Sequence, residues 1–187
     1  MNKKTLALTE EQYKEIIETM REGFTGFRSN IRVATALVIE ANLGLRISDI
    51  IKLRLSSFVK DGERYRLDIT EQKTGKQRTF TVPIVIYNYV KMYTLENGLK
   101  PHEIIFPITD RAIQKQLKLV VDFLEMDGVG THSFRKFYAT QIYKQNGHDI
   151  ALVQKLLQHS SPAVTQKYIG IQTEQLEKAI EQHTCLI

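Results

Sequence analysis

One cysteine, Cys185, stands among 187 residues, so no intramolecular disulfide can form, a pattern that suits a reducing compartment. No apolar run approaches the roughly 20 residues of a membrane-spanning helix. The basic start Met1-Asn2-Lys3-Lys4 leads straight into polar Thr9 to Gln12, which is not the order of a secretory signal. A cytoplasmic protein is expected. None of the five histidines has metal-site spacing, and there is no second thiol to help them. No phosphate-cradling glycine loop or dinucleotide fingerprint occurs either. Neither a metal nor a small-molecule cofactor is expected. Repeats, low-complexity tracts and Pro/Gly-rich linkers are missing too, so residues 1–187 read as a single domain.

What is present is ordinary globular material with a basic excess. Hydrophobic residues make up 42% and charged residues 25%, enough for an independent core. Lys and Arg number 26 against 21 Asp and Glu, for a net charge of +5, which is compatible with a polyanionic partner.

The local patterns are mainly helical. Thr9 and Gln12 form a capping box, with Leu8 and Tyr13 placed to staple it. Asn30 to Asn42 is apolar on nearly every face, the pattern of a buried central helix. Gly44 can close that helix in a left-handed conformation, and Ser48 and Asp49 can cap a short following one. Arg46 then sits in the corner between the two. From Arg64 to Val82 the apolar period becomes two, with Lys73-Thr74-Gly75-Lys76 as the turn of a hairpin. Helical periods return over Ile84 to Glu96 and Asp110 to Glu125, and then in three shorter stretches: His132 to Gln145, Asp149 to Leu157 and Pro162 to Tyr168. The expected fold class is mainly α with a small antiparallel β-sheet (α+β).

Three motifs carry chemistry. Gly44-Leu45-Arg46-Ile47-Ser48-Asp49 comes first, then His132-Ser133-Phe134-Arg135, then Leu156-Leu157-Gln158-His159-Ser160-Ser161 leading to Tyr168. Singly they are weak: five His and ten Arg in 187 residues give roughly 0.3 His-x-x-Arg pairs by chance. As an ordered set, with Lys73 between the first and second, they resemble the tyrosine recombinase (phage integrase) family from about Leu8 to about Gly170.

The resemblance implies the tyrosine recombinase catalytic-domain fold and a metal-free DNA strand cleavage and rejoining reaction. A protein without a metal must bring cations to the non-bridging oxygens of a phosphodiester, and a guanidinium fork bonds two of them at once. Arg46 and Arg135 match those positions. His132 and Arg135 lie about 60° apart around one helix and are expected on its polar side, away from Phe134, Phe137 and Tyr138. Tyr168 matches the nucleophile, which would form a 3′-phosphotyrosine and free a 5′-hydroxyl. Lys73 matches the general acid, with Lys76 as its neighbouring competitor. His132 would handle the Tyr168 proton, His159 would hydrogen-bond the phosphate, and Asp49 would orient the cations. His102, His148 and His183 match nothing in the family.

The implied partner is double-stranded DNA, with self-association on it. The 45 residues before Arg46 read as the domain's own first helices, so the N-terminal DNA-gripping domain usual in the family is expected to be absent. Residues 173–187, with Leu176 and Ile180 on a narrow apolar stripe, are expected to dock on a neighbouring protomer. Two other outcomes share these motifs: type IB topoisomerase-like relaxation, and a DNA-binding accessory protein that cleaves nothing.

Overall fold

The most uniformly apolar stretch of the sequence becomes the centre of the molecule. In the computed structural model, which describes residues 5–73, 75 and 77–169, Ile31–Leu43 is a helix with nine buried residues. Asn30 caps it by accepting from the Val33 amide at 3.1 Å. Leu37 and Ile39 are fully buried, and removing each such side chain from water contributes about 1.5–3 kcal/mol. Its exposed residues, Ile31, Arg32 and Asn42, lie at the two ends.

In chain order the elements are α1 (Glu10–Glu22), β1 (Gly23–Phe24), β2 (Phe27–Arg28), α2 (Ile31–Leu43) and α3 (Ile47–Ile50). A 3₁₀ turn (Leu55–Ser57) leads to β3 (Phe58–Asp61), β4 (Arg64–Thr70) and β5 (Gln77–Val82). The helices α4 (Ile84–Glu96), α5 (Asp110–Phe123), α6 (Thr131–Gln145), α7 (Ile150–Leu157) and α8 (Pro162–Ile169) complete it. The capping box of α1 is formed by Thr9 and Gln12 as expected, and Leu8 and Tyr13 both join the core. Among the described residues no helix is long and apolar enough to cross a membrane.

The helix α2 packs most extensively on α6 and also touches α1, α4 and α5. Its end is set by Gly44, which adopts φ 58°, ψ 27° and donates its amide to Glu40 O. A side chain there would also collide with the Tyr138 ring, since a Cβ would lie 2.3 Å from it. Glycine is thus required twice, by the backbone turn and by the closeness of α6.

The strands β3, β4 and β5 form an antiparallel sheet in that order, with Leu67 opposite both Phe58 and Phe80. The strand β3 escapes a period-two reading because it is an edge strand whose last three residues are all exposed. The two-residue ribbon β1–β2 is too short for any period. It is held by stacked rings, Phe24 on Phe27 at 5.0 Å and on Phe123 at 4.0 Å.

Two apolar clusters result. The larger runs through α1, α2, α5, the sheet and the first turns of α6. The smaller contains Ala139, Tyr143, Val153, Leu157 and Ile169, with Tyr138 and Tyr168 packed against it. Lys76 and the expected docking arm at 173–187 lie outside the described residues, as do His183 and Cys185.

Candidate active site

Arg46 occupies the extended residue between the Gly44 turn and α3, at φ −78°, ψ 147°. Its guanidinium leaves that corner to meet the Glu71 carboxylate at 2.6 Å. The corner is where the sequence placed it, but its cap is not. Ser48 and Asp49 lie within α3, and no side chain caps that helix. Asp49 is buried and accepts instead from the Gln72 amide at 2.8 Å. It therefore ties the Arg46 helix to the hairpin that carries Lys73.

Arg135 departs further from expectation. It is 2% exposed and does not share a solvated face with His132. Its Nη1 donates to Gly44 O at 2.6 Å and its Nη2 to Leu157 O at 3.0 Å. One buried guanidinium thus joins the Arg46 corner to the end of α7. Helical spacing gave the wrong side because α6 is enclosed: α2 covers one flank, and α7 and α8 the other. Burial pulls the Arg135 pKa down, and the Tyr168 hydroxyl and Glu71 act against that.

His132 does stay exposed, on the first turn of α6. Its pKa is lowered first by desolvation and then by the Arg135 charge, with Lys73 and Arg46 adding to the effect. The imidazole is therefore neutral near pH 7 and can accept a proton. Lys73 itself is exposed on the hairpin turn.

His159 follows Gln158, which closes α7 in the left-handed region at φ 55°. Its Nδ1 lies 3.0 Å from the hydroxyl of Thr165, a fully buried residue of α8. Burial, followed by the charges of Arg135 and Arg46, pushes the His159 pKa down to about 4. The ring stands edge-on to Tyr168, with centroids 5.0 Å apart and planes at 78°.

Tyr168 is held from below by Lys136, whose Nζ lies 5.2 Å from the ring centroid and donates to Thr5 O at 2.5 Å. The phenol oxygen is buried and makes no hydrogen bond of full geometry among the described residues. Burial pushes its pKa up to about 12, which the adjacent Arg135 guanidinium partly offsets. Ionised phenolate is thus scarce at neutral pH until a base takes the proton.

Arg46 and His159 line one open cleft of about 1020 Å³, with Gln158, Ser160 and Lys155 on its walls. The charge behind it is lopsided. Arg46, Arg78 and Arg135 face a single ion-paired carboxylate, Glu71. Desolvation raises the pKa of buried Glu40 well above its ordinary value, and the third buried acid, Asp49, is engaged by the Gln72 amide. On the cleft walls Arg46 and Lys155 outnumber the one carboxylate, Asp149, whose side chain caps α7, and such a cationic surplus suits a phosphodiester.

Sequence reading missed four residues of this neighbourhood: Glu71, Arg78, Lys136 and Thr165. Only Arg78 carried a signal, as it falls on the inward side of the β5 alternation with Phe80 and Val82. Of the unmatched histidines, His102 and His148 lie on exposed turns and neither lines the cleft. Among the described residues no group of three or more His, Cys, Asp or Glu could hold a metal.

The sequence pattern of the phage integrase family matches residues 7–175. A probable integrase/recombinase of Bacillus subtilis (strain 168), YoeC, is 34% identical over 138 residues, or 70% of this chain and 72% of that protein. Tyrosine recombinase XerA of Pyrococcus furiosus is 28% identical over 188 residues, covering 96% of this chain and 62% of that one. Among solved structures, XerH site-specific recombinase in its post-cleavage complex with palindromic difH substrate superposes with a TM-score of 0.71. It is 22% identical and covers 96% of this chain and 53% of that one. This last likeness concerns the fold. The chain spans little more than half the length of XerH and under two thirds of XerA.

Proposed function

We propose that this chain, which belongs to the phage integrase family, cleaves and rejoins DNA at specific sites through a 3′-phosphotyrosine at Tyr168. One observation carries the reading. The Tyr168 ring stands against His159, beside Arg135, at a cleft that Arg46 and His159 line together. Four residues from three distant motifs thus meet where a phosphodiester can sit.

The scissile phosphate enters the cleft with its non-bridging oxygens toward Arg46 and Arg135. Both guanidiniums are already oriented, by Glu71 and by two backbone carbonyls, so little reorganisation is needed as charge builds. The Thr165 hydroxyl, 3.0 Å from His159 Nδ1, fixes the ring, and with the ring proton on Nε2 the imidazole donates to the phosphate.

Tyr168 Oη attacks phosphorus. The P–Oη bond forms as the P–O5′ bond breaks. The phenol proton passes to His132, neutral because its pKa is depressed, and the departing O5′ takes a proton from Lys73. Lys73, now neutral, then takes the proton of the attacking 5′-hydroxyl while protonated His132 gives its proton back to the Tyr168 oxygen, and these reverse steps reseal the strand. A phosphodiester is exchanged for another, so no external energy source is required. Asp49 acts only by positioning, through the Gln72 amide.

The partner is double-stranded DNA, in keeping with the net charge of +5 and with the DNA complex of the XerH neighbour. The palindromic substrate of that neighbour supports self-association, since a palindrome offers two equivalent half-sites. We place the activity in the cytoplasm and assign it to one catalytic unit.

A nicked suicide duplex, from which the cleaved end diffuses away, tests the proposal. The parent protein should accumulate a denaturation-resistant protein–DNA adduct, and Tyr168→Phe should bind the same duplex but form none. Binding by the parent protein without any adduct would contradict strand cleavage.

A further inference from the structure

The hairpin that carries Lys73 is fastened at its neck by two charged residues to which the mechanism above gives no chemical step. The last paired residues of β4 and β5 are Thr70 and Gln77. Glu71 and Arg78 flank that final pair, one just beyond it and one just before. Both are almost fully enclosed, with exposures of 1% and 4%. Glu71 Oε2 meets Arg46 at 2.6 Å, and Glu71 Oε1 lies 3.6 Å from Arg78 Nη1. Arg78 Nη2 donates to the carbonyl of Leu156, and its guanidinium lies 4.6 Å above the Phe80 ring. The adjacent carbonyl, Leu157 O, accepts from Arg135.

We infer that Glu71 and Arg78 form a buried clasp that sets the Lys73 hairpin in register with the end of α7, and so positions Lys73 over the strand that Tyr168 attacks. The inference deepens the proposed function and rests on it.

Three features distinguish a clasp from an incidental ion pair. First, its two ends differ: one holds the Arg46 corner and the other holds the segment leading to His159, so the hairpin is located against both halves of the site. Second, its partners are buried, where a guanidinium is not freely exchanged for water. Third, α7 has a second tether in Arg135, whereas the hairpin connection's other described hydrogen bonds, the Gln72 amide to Asp49 and Lys52 to the Gln72 side chain, both run to the α3 side and not to α7. Losing Arg78 should therefore displace the hairpin more than it displaces His159 or Tyr168. Arg78 is a positioning residue acting through Lys73, which is exposed on the hairpin turn.

The test compares two suicide duplexes, one with oxygen and one with sulfur at the 5′-bridging position. A thiolate leaves without needing a proton, so a misplaced general acid is masked on the sulfur substrate. Arg78→Met should cleave the oxygen substrate at least about tenfold more slowly than the parent protein in single-turnover assays. On the sulfur substrate it should fall within about threefold, the loss being one of proton donation, a contribution of typically about 10² to 10⁴. Equal losses on both substrates would overturn the clasp, because they would mean that Arg78 serves the phosphate or the fold at large. If Arg78→Met does not fold, Arg78→Lys takes the same comparison, since it keeps the charge but cannot reach both Glu71 and Leu156 O. Failure of the parent protein to form an adduct on either substrate would instead overturn strand cleavage itself, and with it this inference.

Discussion

The groups that would grip the phosphate and the group that would attack it hang from very different amounts of structure. The larger apolar cluster, which backs the Arg46 corner and the first turns of α6, contains 28 buried side chains among the described residues. The smaller, against which Tyr168 packs, contains five. Arg46 and Arg135 must already point correctly when charge develops on the phosphate, and a rigid surround supplies that orientation in advance. A nucleophile that attacks and is later expelled gains from a support with fewer contacts, since segments with few buried apolar contacts open locally at lower cost. Arg135 is the chief bridge, because its one side chain reaches Gly44 O in the first region and Leu157 O in the second.

The sharpest way to break the comparison is to cut that bridge. Arg135→Lys keeps the charge but can neither reach both carbonyls nor present a fork to the phosphate. Single-turnover cleavage should fall by about 10² to 10³, as for loss of one oxyanion-stabilising donor. Amide exchange should quicken in α7 and α8 and stay unchanged in α2. Loss confined to cleavage, with exchange in α7 and α8 unaltered, would show that the two regions are coupled by something else.

A second way is to hollow the smaller cluster directly. Leu157 is fully buried, and Leu157→Ala should cost about 2–5 kcal/mol locally. Because the cluster is small, the cost should appear as faster exchange in α7 and α8 and a slower approach to adduct, with the main melting transition only slightly shifted. Global unfolding at that cost would mean that the two clusters behave as one.

A smaller effect sharpens the role of the contact within the second region. Thr165→Val removes the hydroxyl that sets the His159 ring, whereas Thr165→Ser retains it. Cleavage should drop several-fold in the first and recover in the second. Equal rates for the two would show that the hydroxyl does not fix the ring.

The smallest expected effect is on stability as a function of pH. The folded protein holds His159 down to about 4 while an unfolded chain titrates near 6.5, so only the unfolded chain takes up the proton in between. Stability should therefore fall as pH drops from about 6.5 toward 4, and His159→Asn should lessen that dependence without altering it above pH 7. Identical melting curves for the two proteins across this range would contradict the burial of His159 in the second region.

Much of this architecture could be read from residues alone, and the misses share one cause. The uniformly apolar stretch of α2 and the helical periods over α4 and α5 matched the helices to within a residue or two, because burial leaves its trace in apolar residues. Gly44 and the Thr9 cap were legible since local backbone geometry selects few residue types. Charged residues carry no such trace. Arg135, Glu71 and Lys136 look like solvated side chains until the fold closes around them, and Arg135 and Lys136 find backbone carbonyls distant in sequence. Asp49 misled for the same reason, as its acceptor role serves a strand connection 23 residues on instead of its own helix. The six family-matched positions were recognisable because chemistry constrains residue type regardless of burial. Of these, Arg46 and His159 line the cleft, with Tyr168 against the His159 ring and Arg135 beside it, while His132 and Lys73 are exposed.

The most direct test of the account is to locate the bond to DNA. Tyr138, Tyr143 and Tyr168 all belong to or pack on the smaller cluster, so an adduct by itself does not single out α8. Trapping the parent protein on a nicked suicide duplex, digesting both components and sequencing the modified peptide by mass spectrometry would identify the attached residue. The account predicts a nucleotide remnant on Tyr168 alone. A remnant on Tyr138 or Tyr143, both on α6, would contradict it, because the nucleophile would then lie outside α8.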